Sequence, residues 1–228
     1  MRKAKRKGAL YLVGQILLWW YFHLVFRMKV VGAENVPKEG PVLLCSNHLA
    51  KRDPVLLGLS QSRQVFYMAK EELFQNKFLG GLFRALGAFP VKRGTGGTDA
   101  LEEAYALLGE NGVVGVFIEG HRSKDGRLLK PKTGAALLAY KTKAPVVPVC
   151  ITAGDGFRPG PFKKTLIRFG KPLSAQELAV ADESSMQLRR ASRTIMTRIA
   201  DLREESLQDL GLPSQREPVP EKEAAHEG

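Results

Sequence analysis

Short, continuous apolar runs alternate along this chain with stretches whose apolar residues recur every three or four positions. Residues 42–45 follow Gly40-Pro41 and are uniformly apolar, which fits a buried strand better than a helix. Residues 65–68, 89–91, 113–118 and 146–151 read the same way, and 166–169 adds an edge strand. Between them, 71–83 predicts one or two short helices, 98–110 an amphipathic helix and 133–143 another. Residues 178–210, broken near Asp182, predict a charged amphipathic helix packed on the body or against a membrane. Such alternation predicts an α/β fold with a single sheet covered by helices on both faces.

The first 29 residues are a different material. Five of the first seven are Arg or Lys, and residues 8–26 are then apolar apart from Gln15 and His23, with Trp19, Trp20, Tyr21 and Phe22 bunched together. A secretory signal peptide shares this order, but the run has no small-residue cleavage site and ends in Phe26-Arg27, so the segment is expected to be retained. At ~1.5 Å per residue it reaches about 28 Å, near the ~30 Å of a hydrocarbon core. The expectation is an N-terminal membrane-embedded helix. The chain then divides into a basic leader and helix (1–29), a body with C-terminal helices (30–212) and a Pro-, Glu- and Lys-rich tail (213–228) expected to be disordered.

Charge narrows the partners. Lys and Arg number 35 against 23 Asp and Glu, a net charge of +12, which favours an anionic partner: nucleic acid, a phosphorylated substrate or an acidic membrane face. A nucleic-acid binder would leave an apolar run of membrane length unexplained, so none is expected. The two cysteines, Cys45 and Cys150, each lie in an apolar run; no disulfide framework, metal cluster or resident cofactor is implied.

The stretch with the most chemistry follows the first body strand. His48 and Asp53 are five residues apart, roughly 140° around a regular helix, so the two can meet only if the chain between them leaves the helix. Pro54 suits a first helical position, which makes Asp53 a helix cap in a purely structural reading. In the functional reading, the carboxylate orients an imidazole as general base at the carboxyl end of a strand, where open α/β sheets place their crevices.

Asn47-His48-x-x-x-x-Asp53 is similar to the first motif of the 1-acyl-glycerol-3-phosphate acyltransferase family, the glycerolipid acyltransferases. Three further blocks follow in that family's order: Gly87-Ala88-Phe89-Pro90-Val91-Lys92-Arg93, then Phe117-Ile118-Glu119-Gly120-His121-Arg122-Ser123, then Val147-Pro148-Val149-Cys150-Ile151. The third is usually Phe-Pro-Glu-Gly-Thr-Arg-Ser, so Ile118 and His121 depart from the pattern in the block assigned to the acceptor. The resemblance covers roughly residues 30–175 and implies a glycerol-3-phosphate acyltransferase-like fold.

It also implies roles. His48 and Asp53 would be catalytic, with Asn47 or nearby backbone N–H groups serving the oxyanion. Arg93 and Arg122 would hold the acceptor's phosphate, with Lys70 a third candidate, while Glu119 orients acceptor hydroxyls and Gly120 lets the backbone turn. The reaction implied moves a fatty acyl chain from acyl-CoA or acyl carrier protein to 1-acyl-glycerol-3-phosphate, at the cytoplasmic face of the cell membrane. Alternatives are another lysolipid or glycerol 3-phosphate as acceptor, or a non-catalytic protein that binds anionic lipid. Because both flanks of the N-terminal helix are basic and the donors cytosolic, that helix is expected to enter the bilayer from one face.

Overall fold

In the computed structural model of the chain, which describes residues 9–215 apart from 77–79, 82, 85 and 92–97, the apolar runs assemble into one mixed sheet of seven strands. The strands are β1 (Met28–Val31), β2 (Val42–Ser46), β3 (Val65–Lys70), β4 (Ala88–Val91), β5 (Val113–Phe117), β6 (Val146–Ala153) and β7 (Thr165–Phe169). Their spatial order is β1-β7-β6-β2-β5-β3-β4. Every neighbouring pair is parallel except β6 and β7. The helices are α1 (Ala9–Val25), α2 (Asp53–Leu59), α3 (Thr98–Gly109), α4 (Gly134–Thr142), the short α5 (Ala175–Leu178) and α6 (Ser185–Leu210).

The central strands are buried on both faces, as a parallel sheet sandwiched by helices requires. Leu43, Cys45, Val114, Val146 and Cys150 face a core completed by Ala104 and Leu108 of α3, Leu138 of α4 and Ala191, Ile195 and Ile199 of α6. Their neighbours in sequence, Val42, Leu44, Val113, Val147, Val149 and Ile151, face the other core, closed by Phe22 of α1, Phe26 and Leu56 and Leu57 of α2. Period-two alternation in continuous apolar runs thus supplies two different cores at once.

The segment after β3 opens with a short 3-10 helix, Glu71–Phe74, where short helices are expected. Two expectations need correction. The strand at 166–169 is not an edge: β1 pairs beyond it, Met28 against Thr165 through Val31 against Arg168. Asp53 opens α2 but does not cap it; the preceding Arg52 holds the cap position without a side-chain bond to the helix. Of the expected tail, Pro213 to Gln215 are described, and 216–228 lie outside the described residues, as does the leader 1–8.

Candidate active site

Everything at the site depends on how the chain leaves β2. Ser46 still pairs with Phe117 and Val149 on either side. At the next residue a side chain takes over: the Asn47 amide donates from Nδ2 to the Ile151 carbonyl (3.0 Å) and accepts at Oδ1 from the Ile151 N–H (2.8 Å). The carboxamide imitates a residue of strand backbone, so the main chain can turn out of the sheet without orphaning β6. Asn47 is fully buried. Its amide oxygen and nitrogen are both engaged in holding the turn.

His48 emerges from that turn, 17 % exposed at its side chain. Its ring stacks on Phe117 at the end of β5, with centroids 4.0 Å apart and planes 19° from parallel. Phe117 in turn lies along Tyr67 of β3, 6.4 Å away. Gly115 makes room for this row: a Cβ there would stand 2.3 Å from the Tyr67 ring. Below the imidazole, Nδ1 donates to Asp53 Oδ2 at 2.7 Å, and the same oxygen accepts the backbone N–H groups of Leu49 (2.6 Å) and Ala50 (2.8 Å). The five-residue spacing closes because residues 49–52 turn around the carboxylate instead of forming a helix.

With Nδ1 bonded to a buried carboxylate, the neutral ring carries its lone pair on Nε2. A ring fixed in orientation and tautomer, with a carboxylate behind it, is the equipment of a general base. The cysteines offer no competing nucleophile: both are buried, which pushes the Cys150 thiol up to about 11 and the Cys45 thiol higher still. Among the described residues, no group of three or more His, Cys, Asp or Glu could hold a metal ion.

The segment after β5 is tied to the same turn. Ile118 N–H donates to Ser46 O (3.0 Å) and Ser123 N–H to His48 O (2.8 Å). Gly120 turns with φ +74, a left-handed conformation that suits glycine. Arg122 and His121 are exposed on this loop, whereas Ile118 points into the α3–α4–α6 core. Of the two departures from the family pattern, only His121 is therefore available to meet an acceptor. Lys70 ends β3, with its side chain outside the described residues; Arg93 lies outside them altogether.

Glu119 is buried, and neither carboxylate oxygen has a hydrogen-bond partner among the described residues. Burial pushes its carboxyl up to about 7; the nearby backbone of Leu129 and His48 and the Arg203 charge offset this only in part, and Asp53 adds to it. The folded protein therefore holds a proton on Glu119 that the unfolded chain releases near pH 4.3. Stability from this group is full below about pH 4 and falls as pH rises to about 7, by on the order of 3 kcal/mol, then levels. Glu119→Gln should accordingly be more stable than the parent in urea at pH 8, with the gap closing at pH 4.5. An equal gap at both pH values would rule out burial of the charge as its source.

Arg203 is the residue that sequence reasoning missed. Only 2 % exposed, it reaches from α6 to donate through Nη2 to Gly126 O (2.6 Å), Gly156 O (3.3 Å) and the Gln215 side chain. The signal was present: Ala191, Ile195, Ile199, Arg203 and Leu207 form one i, i+4 row, and all are buried. A charge set in that row is an inward-facing charge.

A site of this kind, an oriented imidazole at the carboxyl edge of a mixed α/β sheet, belongs to an enzyme of group transfer through a general base. The sequence model of the family described as Acyltransferase matches residues 27–152, and the chain belongs to that family. The 1-acyl-sn-glycerol-3-phosphate acyltransferase of Bacillus subtilis (strain 168) is 33% identical over 157 residues, 67% of this chain and 76% of that protein. The human 1-acyl-sn-glycerol-3-phosphate acyltransferase alpha is 32% identical over 137 residues, 58% of this chain and 47% of the human one. The crystal structure of PlsC, the 1-acyl-sn-glycerophosphate acyltransferase of Thermotoga maritima, shares the fold, with a TM-score of 0.61 at 23% identity, covering 91% of this chain and 84% of that one.

Proposed function

We propose that this enzyme transfers an acyl chain from acyl-CoA or acyl carrier protein to the free hydroxyl of 1-acyl-glycerol-3-phosphate, giving phosphatidate for phospholipid synthesis. The observation that carries the reading is the His48–Asp53 pair, bonded at 2.7 Å inside the block that resembles the family's first motif. His48 Nε2 takes the proton of the acceptor hydroxyl as its oxygen bonds to the thioester carbon. The carbon–sulfur bond then breaks, and the imidazolium returns the proton to the departing thiolate. Asp53 favours the transient imidazolium, and no resident cofactor enters.

Glu119, with two unpartnered oxygens beside this pair, is assigned to the acceptor's hydroxyls. Arg122, exposed on the adjoining loop, is assigned to the acceptor's phosphate, together with Arg93 and Lys70 by resemblance. Arg122→Ala should raise the acceptor's KM by roughly 10- to 100-fold and leave the thioester's nearly unchanged, as expected for one lost charge-assisted contact. An equal rise for the donor would remove the assignment.

The body, 30–212, works in this reading at the cytoplasmic face of the cell membrane, held there by residues 1–29. Among the described residues, no helix is long and apolar enough to cross a membrane. The 17 residues of α1 dock on the body through Phe22, next to the docked Phe26, and turn Val13, Ile16, Leu17, Trp20 and Leu24 outward. That spacing places one wide apolar face away from the protein, which suits a helix embedded from one side of a bilayer. The decisive assay sets purified protein with lysophosphatidate, other lysolipids or glycerol 3-phosphate against each thioester donor. Preferred acylation of lysophosphatidate is expected; preference for another acceptor would overturn the substrate.

A further inference from the structure

The loop between β6 and β7, residues 155–164, carries Phe157, Arg158, Phe162, Lys163 and Lys164, none of which the proposed chemistry uses. Phe162 is 79 % exposed and is held at φ +63, a conformation that an aromatic residue seldom adopts. Its N–H donates to the carbonyl of Val25, the last residue of α1, at 2.5 Å, and so satisfies one of the carbonyls that a helix end leaves open. Phe157 is also exposed, with the Arg158 guanidinium 4.7 Å from its ring centroid. Lys163 pairs with Asp155, which leaves Arg158 and Lys164 without an acidic partner among the described residues.

The topology adds the second argument. Because β7 runs antiparallel to β6, and β1 parallel to β7, the end of α1, the start of β1 and this loop all sit at the carboxyl edge of β2 and β5, where His48 emerges. The Met28–Thr165 register places Arg27 and Lys164, the exposed residues just before the two strands, at the same end of the sheet. Exposed phenylalanines with arginine and lysine close by in the chain, bonded through Phe162 to the end of α1, match the boundary between acyl chains and anionic headgroups.

We propose that residues 155–164 form a second membrane contact, seating Phe162 and Phe157 in the headgroup boundary of an anionic phospholipid bilayer while Arg27, Arg158 and Lys164 meet lipid phosphates. The inference rests on the reading of α1 as membrane-embedded and deepens it. A lone helix anchor leaves the body free to rotate about it; a second contact beside its end fixes the crevice toward the lipid.

The two contacts can be observed separately in one full-length protein. Trp19 and Trp20 are the only tryptophans and both lie in α1, so intrinsic fluorescence reports the helix. Both native cysteines are buried, so Phe162→Cys takes an environment-sensitive fluorophore at the loop alone. On vesicles of phosphatidylcholine and phosphatidylglycerol in equal parts, both signals should shift to the blue. The double variant R158E/K164E should bind those vesicles roughly 10- to 100-fold more weakly, about one decade or less per basic residue lost or reversed, and bind pure phosphatidylcholine as the parent does. Blue-shifted tryptophans with a water-like probe at position 162 would overturn the loop contact and leave the α1 reading standing. Tryptophans that do not shift would overturn that reading and this inference with it. Unchanged binding by R158E/K164E would also overturn the loop contact.

Discussion

Replacing His48 with alanine should lower kcat by about 100- to 10,000-fold, the usual range for loss of a general base, while the protein still folds. The ring contributes one stack on Phe117 and one bond to Asp53, at the rim of the core rather than within it. Stability should therefore fall by about 2–4 kcal/mol. The sharper companion is Asp53→Asn. Asp53 gathers its three donors on Oδ2, while Oδ1 is buried without a partner among the described residues. An asparagine can put its one oxygen where Oδ2 stands and its NH2 where Oδ1 stands, keeping the shape of the turn and losing only the charge. A fall in kcat of about 100-fold or more with little change in Tm would show that the charge stabilises the imidazolium. Full activity would reduce Asp53 to a device for shaping the loop.

The second large effect is expected at Arg203. Arg203→Met keeps most of the apolar stem but removes the guanidinium that holds Gly126 O and Gly156 O and offsets the charge on Glu119. Charged hydrogen bonds lost from a buried site cost about 1.5–3 kcal/mol each, so a total of about 3–6 kcal/mol for the two is expected in urea unfolding at pH 8. Part of the loss should be specific to pH, because without Arg203 the ionised form of Glu119 is still less favoured. The deficit should therefore shrink as pH falls through 7 toward 5. A deficit that does not change with pH would separate Arg203 from Glu119 and leave it a tie between loops alone.

Sequence pattern reached some of this architecture and not the rest, for identifiable reasons. The runs at 42–45, 113–118 and 146–151 are strands because nothing but burial on two faces suits them, and each is where it was expected. β1 escaped notice because it has four residues, one of them the exposed Lys29, and directly follows the apolar α1. Missing it made β7 look like an edge. At the site, spacing alone left Asp53 divided between cap and partner, since both uses place a carboxylate before Pro54. The structure separates them through the Leu49 and Ala50 amides, which belong to the loop and not to the helix. The bonds of Asn47 to Ile151 were beyond any spacing argument, because the two residues are more than a hundred positions apart in the chain.

The pairing of β1 with β7 also sets a timetable. The two strands lie more than half the chain apart, Met28 against Thr165, so at ribosomal speeds of 5–20 residues per second β1 waits on the order of ten seconds for its partner to be made. During that interval α1, with Trp20 and Leu24 already facing outward, precedes a strand whose ladder is open. Nascent chains of this enzyme should therefore be most prone to aggregate early in synthesis. Slowing translation downstream of residue 31 should worsen that loss, and lipid or a chaperone that occupies α1 meanwhile should relieve it.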